Sequence, residues 1–202
     1  MSDPITPDQV LSFWLGDSDD PYACPDDAME RWFCKDEALD QRIRDRFGDA
    51  VRAAQRDDAF SEWAETPDGR LALIILLDQF SRNAFRGTAD MYAGDDRAVA
   101  LAQEGVALGF DQRVRPAARL FYYLPLEHAE DLALQERCLE LVEALAASVP
   151  EEITWIRELP KWAIAHRDVI ARFGRFPHRN AILGRESTPE EEAYLAQPDA
   201  GF

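Results

Sequence analysis

The stretch LALIILL at residues 71–77 carries no polar side chain on any side. Wound at 3.6 residues per turn it has no face suited to water, so other elements must enclose it. A strand is the competing reading for so short an apolar run. The chain continues as DQFSRNAF, which does not alternate, and this predicts a helix from Arg70 to about Ala84.

The rest of the chain offers helices to surround it. Thr6, Pro7 and Gln9 spell an N-cap, a first helical position and a capping box, and Gly16 ends that segment. MERWF at 29–33 is a second helix. From about 36 to 57, Leu39, Ile43, Phe47, Ala50, Val51 and Ala54 recur at threes and fours, the stripe of a surface helix. TPDG at 66–69 reads as a turn. Further helices fit 95–108, 116–124 and about 127–147, the last with a seam of Leu134, Cys138, Leu141 and Leu145. Another starts at Pro150 and runs to Phe173, with a kink or split at Pro160. Thr188, Pro189 and Glu191 announce a final short helix. Strand signals are nearly absent. The expectation is a single all-α domain over residues 1–202, with eight to ten helices stacked as antiparallel hairpins. No clean repeat near 34 residues marks a regular solenoid.

Composition narrows the setting. Hydrophobic residues make up 47% of the 202, with 11 Phe and 5 Trp, enough for a sizeable core. The odd cysteines, Cys24, Cys34 and Cys138, fit neither a disulfide framework nor a zinc pair and are expected to be free thiols. No secretion signal or membrane-length apolar run is seen, which predicts a soluble, cytoplasmic chain. The formal charge of −17 disfavours nucleic acid as a partner.

Against that charge, HRDVIARFGRFPHRNAILGR at 166–185 stands out. It holds Arg167, Arg172, Arg175, Arg179 and Arg185, two of the three histidines, and one acid, Asp168. Gly174 suits a helix C-cap and Pro177 forces Phe176 out of helix, so Arg175, His178, Arg179 and Asn180 project from a loop. Guanidinium forks match carboxylate and phosphate. The alternative is that these arginines neutralise acids of their own chain. His166 shares a face with Trp162, Val169, Ile170 and Phe173 and reads as a satisfied core histidine.

Two more clusters carry chemistry. In LLDQFSRNAFRG, 76–87, Asp78 and Arg82 lie four apart and can pair, with Gln79 and Asn83 on the adjoining strip. They form either a structural lock or a cavity wall. In LPLEHAEDLALQ, 124–135, Glu127, Glu130 and Asp131 suit a helix start. His128 is left over: with Asp131 three residues on, it is an oriented base or half a metal site.

FWLG at 13–16, LLDQFSRNAFRG at 76–87, LPLEHAED at 124–131 and above all RFGRFPHRNAILGRESTPEEEAYL at 172–195 resemble the bacterial family filed as domain of unknown function 924, over nearly the whole chain. The resemblance implies a tetratricopeptide-like helical fold and supplies no reaction. It implies motif residues at Asp78, Gln79, Arg82, Asn83, His128, Glu130, Arg172, Arg175, His178, Arg179 and Asn180. Ala129 departs from the pattern, where a small polar residue is expected.

Three functions fit. The first is a pocket for a small carboxylate or phosphate ligand, with His128 or His178 as acid or base and no cofactor. The second is a tetratricopeptide-like groove for a peptide. The third, with the weakest ligand set, is a metal enzyme built on Glu127, His128 and Asp131. Oligomeric state is not legible.

Overall fold

The computed structural model describes residues 4–56, 59–198 and 201, and among them there are helices and turns but no strand. Helix α1 (Pro7–Leu15) opens on the capping box, Thr6 Oγ1 accepting from Gln9 N–H and Gln9 Oε1 from Thr6 N–H. Short α2 (Ala28–Phe33) follows, then α3 (Glu37–Arg56), whose stripe from Leu39 to Ala54 is buried. The expected end of that helix, residue 57, lies outside the described residues.

The apolar run forms the centre. Each residue from Leu71 to Leu77 is at most 1% exposed. Helix α4 (Pro67–Ile74) begins three residues earlier than expected, because TPDG is its first turn: Thr66 Oγ1 accepts from Gly69 N–H. A Cβ on Gly69 would sit 2.3 Å from the Trp63 carbonyl oxygen, so this start needs glycine. The helix widens into a π-helical stretch over Ile75–Phe80 and continues as α5 (Ser81–Ala84). Helix α1 packs on α4, and α3 packs on the π-helical stretch and α5. On the other side lie α6 (Asp95–Ala107) and α7 (Pro116–Glu127). Phe80 anchors the layers, its ring 4.7 Å from Phe47 and 5.4 Å from Trp14.

One boundary differs from the sequence expectation in a way that matters. Helix α7 passes through Pro125 and includes Glu127, and α8 (Leu132–Ser148) starts only after Asp131. Pro125 has no N–H to give the Phe121 carbonyl, so the helix runs through it one hydrogen bond short. His128 N–H closes the helix on Leu124 O, and Asp131 Oδ1 caps α8 by accepting from Leu134 N–H. Glu127 and His128 therefore finish one helix instead of beginning the next.

Helix α8 packs against α7 and against α10 (Pro160–Phe173). The expected break at Pro160 is present: α9 (Thr154–Arg157) precedes it, beginning later than Pro150, and Pro160 takes the first position of α10. Gly174, at φ +69°, ends α10, and Phe176 is extended before Pro177. Helix α11 (Pro189–Leu195) carries the second capping box. All three cysteines are free thiols. No helix among the described residues is long and apolar enough to cross a membrane.

Candidate functional site

The end of α7, the π-helical stretch with α5, α2, α10 and the loop after Gly174 enclose a cavity of about 590 Å³. His128, His166 and His178 all line it, and these are the chain's three histidines. Arg31, Lys35, Arg82, Arg86 and Arg179 also face it; among the described residues its one lining acid is Glu127.

The carboxylates that balance these cations stand behind the wall. The wide π-helical turn carries Asp78, 1% exposed, beside Gln79. π-Turns inside helices occur often at functional sites. Asp78 Oδ1 lies 2.7 Å from His128 Nδ1 and 3.1 Å from Arg82 Nη1, and its Oδ2 accepts from Gln79 Nε2 at 2.7 Å. Burial alone would push the Asp78 carboxyl up. Arg82 and His128 outweigh it and hold the group well below the usual carboxylate range.

Arg82 donates through both Nη atoms to Asp95 at 2.9 and 3.0 Å. Asp95 is also 3.7 Å from Arg179 Nη1, while Arg179 Nη2 donates to the His128 carbonyl at 2.9 Å. The Arg179 guanidinium lies over the rings of Tyr92 and Phe176, and its buried Nε has no protein partner. On the adjoining strip Asp40, buried in α3, accepts from Asn83 Nδ2 at 2.8 Å and from Arg86 Nε and Nη2.

An ionised Asp78 fixes the His128 tautomer. Nδ1–H donates to the carboxylate, which leaves the lone pair on Nε2 of a ring that lines the cavity. Burial lowers the His128 pKa, with Asp78 opposing, so the ring is a neutral base. Glu127 is the opposite case: burial and the nearby Asp78 charge raise it to about 8, so it keeps its proton at neutral pH. Its Oε1 is 3.3 Å from His166 Nδ1, which lies 2.9 Å from the Trp162 carbonyl. Burial holds His166 down at about 3 and His178 at about 4. The cavity thus joins an oriented base, a protonated carboxyl and a cationic wall.

The family model for bacterial proteins of unknown function, DUF924, matches residues 10–199. The chain belongs to that family. This DUF924 chain is similar to a solved structure of a protein of unknown function from Agrobacterium tumefaciens. The two are 47% identical, with a TM-score of 0.72 over 83% of this chain and 89% of that one. No curated protein matches.

Of the motif residues in this DUF924 chain, Gln79, Arg82, Asn83, His128, His178 and Arg179 meet at the cavity, with Asp78 directly behind. Glu130 and Asn180 shape the loop instead. Glu130 takes a bidentate pair from Arg185 at 2.6 and 2.9 Å and accepts from Phe176 N–H, and Asn180 Oδ1 accepts from Arg185 Nε. Arg172 and Arg175 are not on the cavity wall: they fasten α11 through Glu190 and Glu191. For those two, and for Arg185 and Arg167, pairing with internal acids is what the structure contains. The expected His128–Asp131 alignment is replaced by His128–Asp78, since Asp131 caps α8. Among the described residues no group of three or more His, Cys, Asp or Glu could hold a metal ion. His166, read from sequence as a satisfied core residue, is buried and bonded to the Trp162 carbonyl, and it also lines the cavity. Trp32, Tyr92 and Arg86 complete the wall without any local pattern that marks them.

Proposed function

We propose that the cavity binds a small molecule bearing a carboxylate or phosphate, with His128 as a general base oriented by Asp78. One observation carries this reading. In a chain of charge −17, all three histidines and five cationic side chains line one cavity beside, among the described residues, a single acid. Forked donors in a partly dry wall recognise oxyanions at short range, whatever the sign of the surface as a whole. The volume suits a metabolite-sized ligand. A neutral imidazole near a protonated Glu127 supports proton transfer on that ligand, accepted at His128 Nε2 and supplied from Glu127.

Arg179→Gln tests the binding half. It removes one cavity cation while leaving Asp95 its bidentate partner Arg82. Inorganic phosphate or acetate should raise the melting temperature of the wild type and of Arg175→Ala, and raise that of Arg179→Gln far less. Equal stabilisation of all three, or of none, contradicts the reading.

A further inference from the structure

Along α7 and α10 the cavity wall passes from apolar to polar, and on α2 the apolar Trp32 and Phe33 stand between Arg31 and Lys35. On α7, Leu120, Leu124 and Glu127 follow at spacings of four and three, one strip of one face. From the N-cap of α10 the matching strip runs Leu159, Trp162, His166. Both strips turn polar in the direction of the chain, and they meet where Glu127 and His166 lie 3.3 Å apart. His128, Arg82 and Arg179 gather at that end, linked through Asp78 and Asp95. Away from that end Trp32 lines the wall, its ring 5.0 Å from Phe121 and 6.0 Å from Trp155. From residue 120 to residue 127 the α7 strip covers roughly 10 Å along the helix axis. Two of the chain's large exposed apolar side chains, Phe33 at 52% and Trp162 at 60%, also line this cavity. Exposed apolar groups clustered at a pocket mark contact with an apolar ligand more than they serve folding.

We infer that the occupant is an amphiphile: an anionic head among Arg82, Arg179 and His128, and an aromatic or short acyl body along Leu120, Leu124 and Trp162. This rests on the anion-binding reading above and adds the substrate class. An inorganic anion fills one end only and leaves the apolar strip wet. A neutral apolar molecule leaves the cationic end with no oxyanion to receive its donors.

The test is calorimetric titration with acetate, butanoate, hexanoate and octanoate, together with phenylacetate and the neutral hexanol. Affinity should climb along the acids by roughly fourfold per methylene buried until the strip is filled. Phenylacetate should exceed acetate by at least tenfold, and hexanol should fall well below hexanoate. Trp162→Ala and Phe33→Ser, both at exposed positions and so compatible with folding, should flatten the series, weakening octanoate far more than acetate. If octanoate and phenylacetate bind no tighter than acetate, the amphiphile inference fails and anion binding stands. If hexanol equals hexanoate, the anionic head is wrong; if no acid binds, both readings fall.

Discussion

His128 Nδ1 and Asp78 Oδ1 lie 2.7 Å apart although fifty positions separate them in the chain. The contact exists because α7 runs past Pro125 to Glu127 and delivers His128 against the π-helical stretch after α4. Arg82, one turn beyond Asp78, keeps the carboxylate ionised and so makes the histidine's tautomer a property of the fold.

That tautomer is observable. Long-range ¹H–¹⁵N spectra at pH 7 should place the His128 proton on Nδ1, with Nε2 bare, and its titration should fall below the ordinary histidine range. A ring protonated on Nε2, or charged at pH 7, would remove the oriented base.

Stability should depend on pH through Glu127 in a definite sense. Its folded pKa of about 8 lies above the ordinary 4.5, so the protonated carboxyl contributes stability that is full below about pH 4.5 and lost as pH rises through 8. Glu127→Gln cannot lose that contribution. Its stability relative to wild type should rise across pH 5–8 and level off above, as followed by urea denaturation at several pH values. A flat difference would mean that Glu127 ionises normally.

The histidines act on the acid side. His166, at about 3, and His178, at about 4, stay neutral in the folded chain while the unfolded chain takes up protons near 6.5. Folding stability should therefore decline as pH falls below about 6.5, and His166→Gln should weaken that decline. An unchanged acid limb in that variant would contradict it.

Helix α11 should detach independently of the cavity. Arg175 donates to both oxygens of Glu191 at 2.6 and 2.8 Å, and holds that carboxyl down at about 2. A depressed carboxylate stabilises above its ordinary 4.5 and loses the contribution as pH falls toward 2. Arg175→Ala should speed amide exchange in 189–195 at neutral pH and leave anion binding intact. Unchanged exchange there would show that other contacts hold α11.

The core has its own check. Ile75→Asp places a charge at a fully buried position on the central helix, which should cost about 4 kcal/mol or more, or abolish folding. Retention of the wild-type melting temperature would displace this helix from the centre.

How much of this was legible in the sequence follows from the range of each interaction. The capping boxes at Thr6 and Thr188, the enclosed helix at 71–77, the break at Pro160 and the Gly174 cap depend on residues a few positions apart, and local rules read them. Asp78–Arg82 is of the same kind. The π-helical widening, Asp95 between Arg82 and Arg179, and Asp40 beneath Asn83 and Arg86 depend on packing between distant helices and leave no local pattern. His166 was obscured for a related reason. It lies on the apolar strip of α10, and a strip that lines a cavity looks in sequence like one that lines a core. The partners of Arg172 and Arg175 in α11 follow within twenty residues, but charge count alone does not pick them out.

Because the only histidines of the chain all face the cavity, their ring resonances report on this site and on no other part of the molecule. The most direct test of anion binding is therefore to follow those resonances while titrating hexanoate into the wild-type protein and into Arg179→Gln. The account predicts saturable shifts at His128 and His178 in the wild type, and a binding curve at least tenfold weaker in the variant. Rings that do not move while the amides of residues 172–175 and 189–195 do would place the anion on the Arg172 and Arg175 surface and contradict the account.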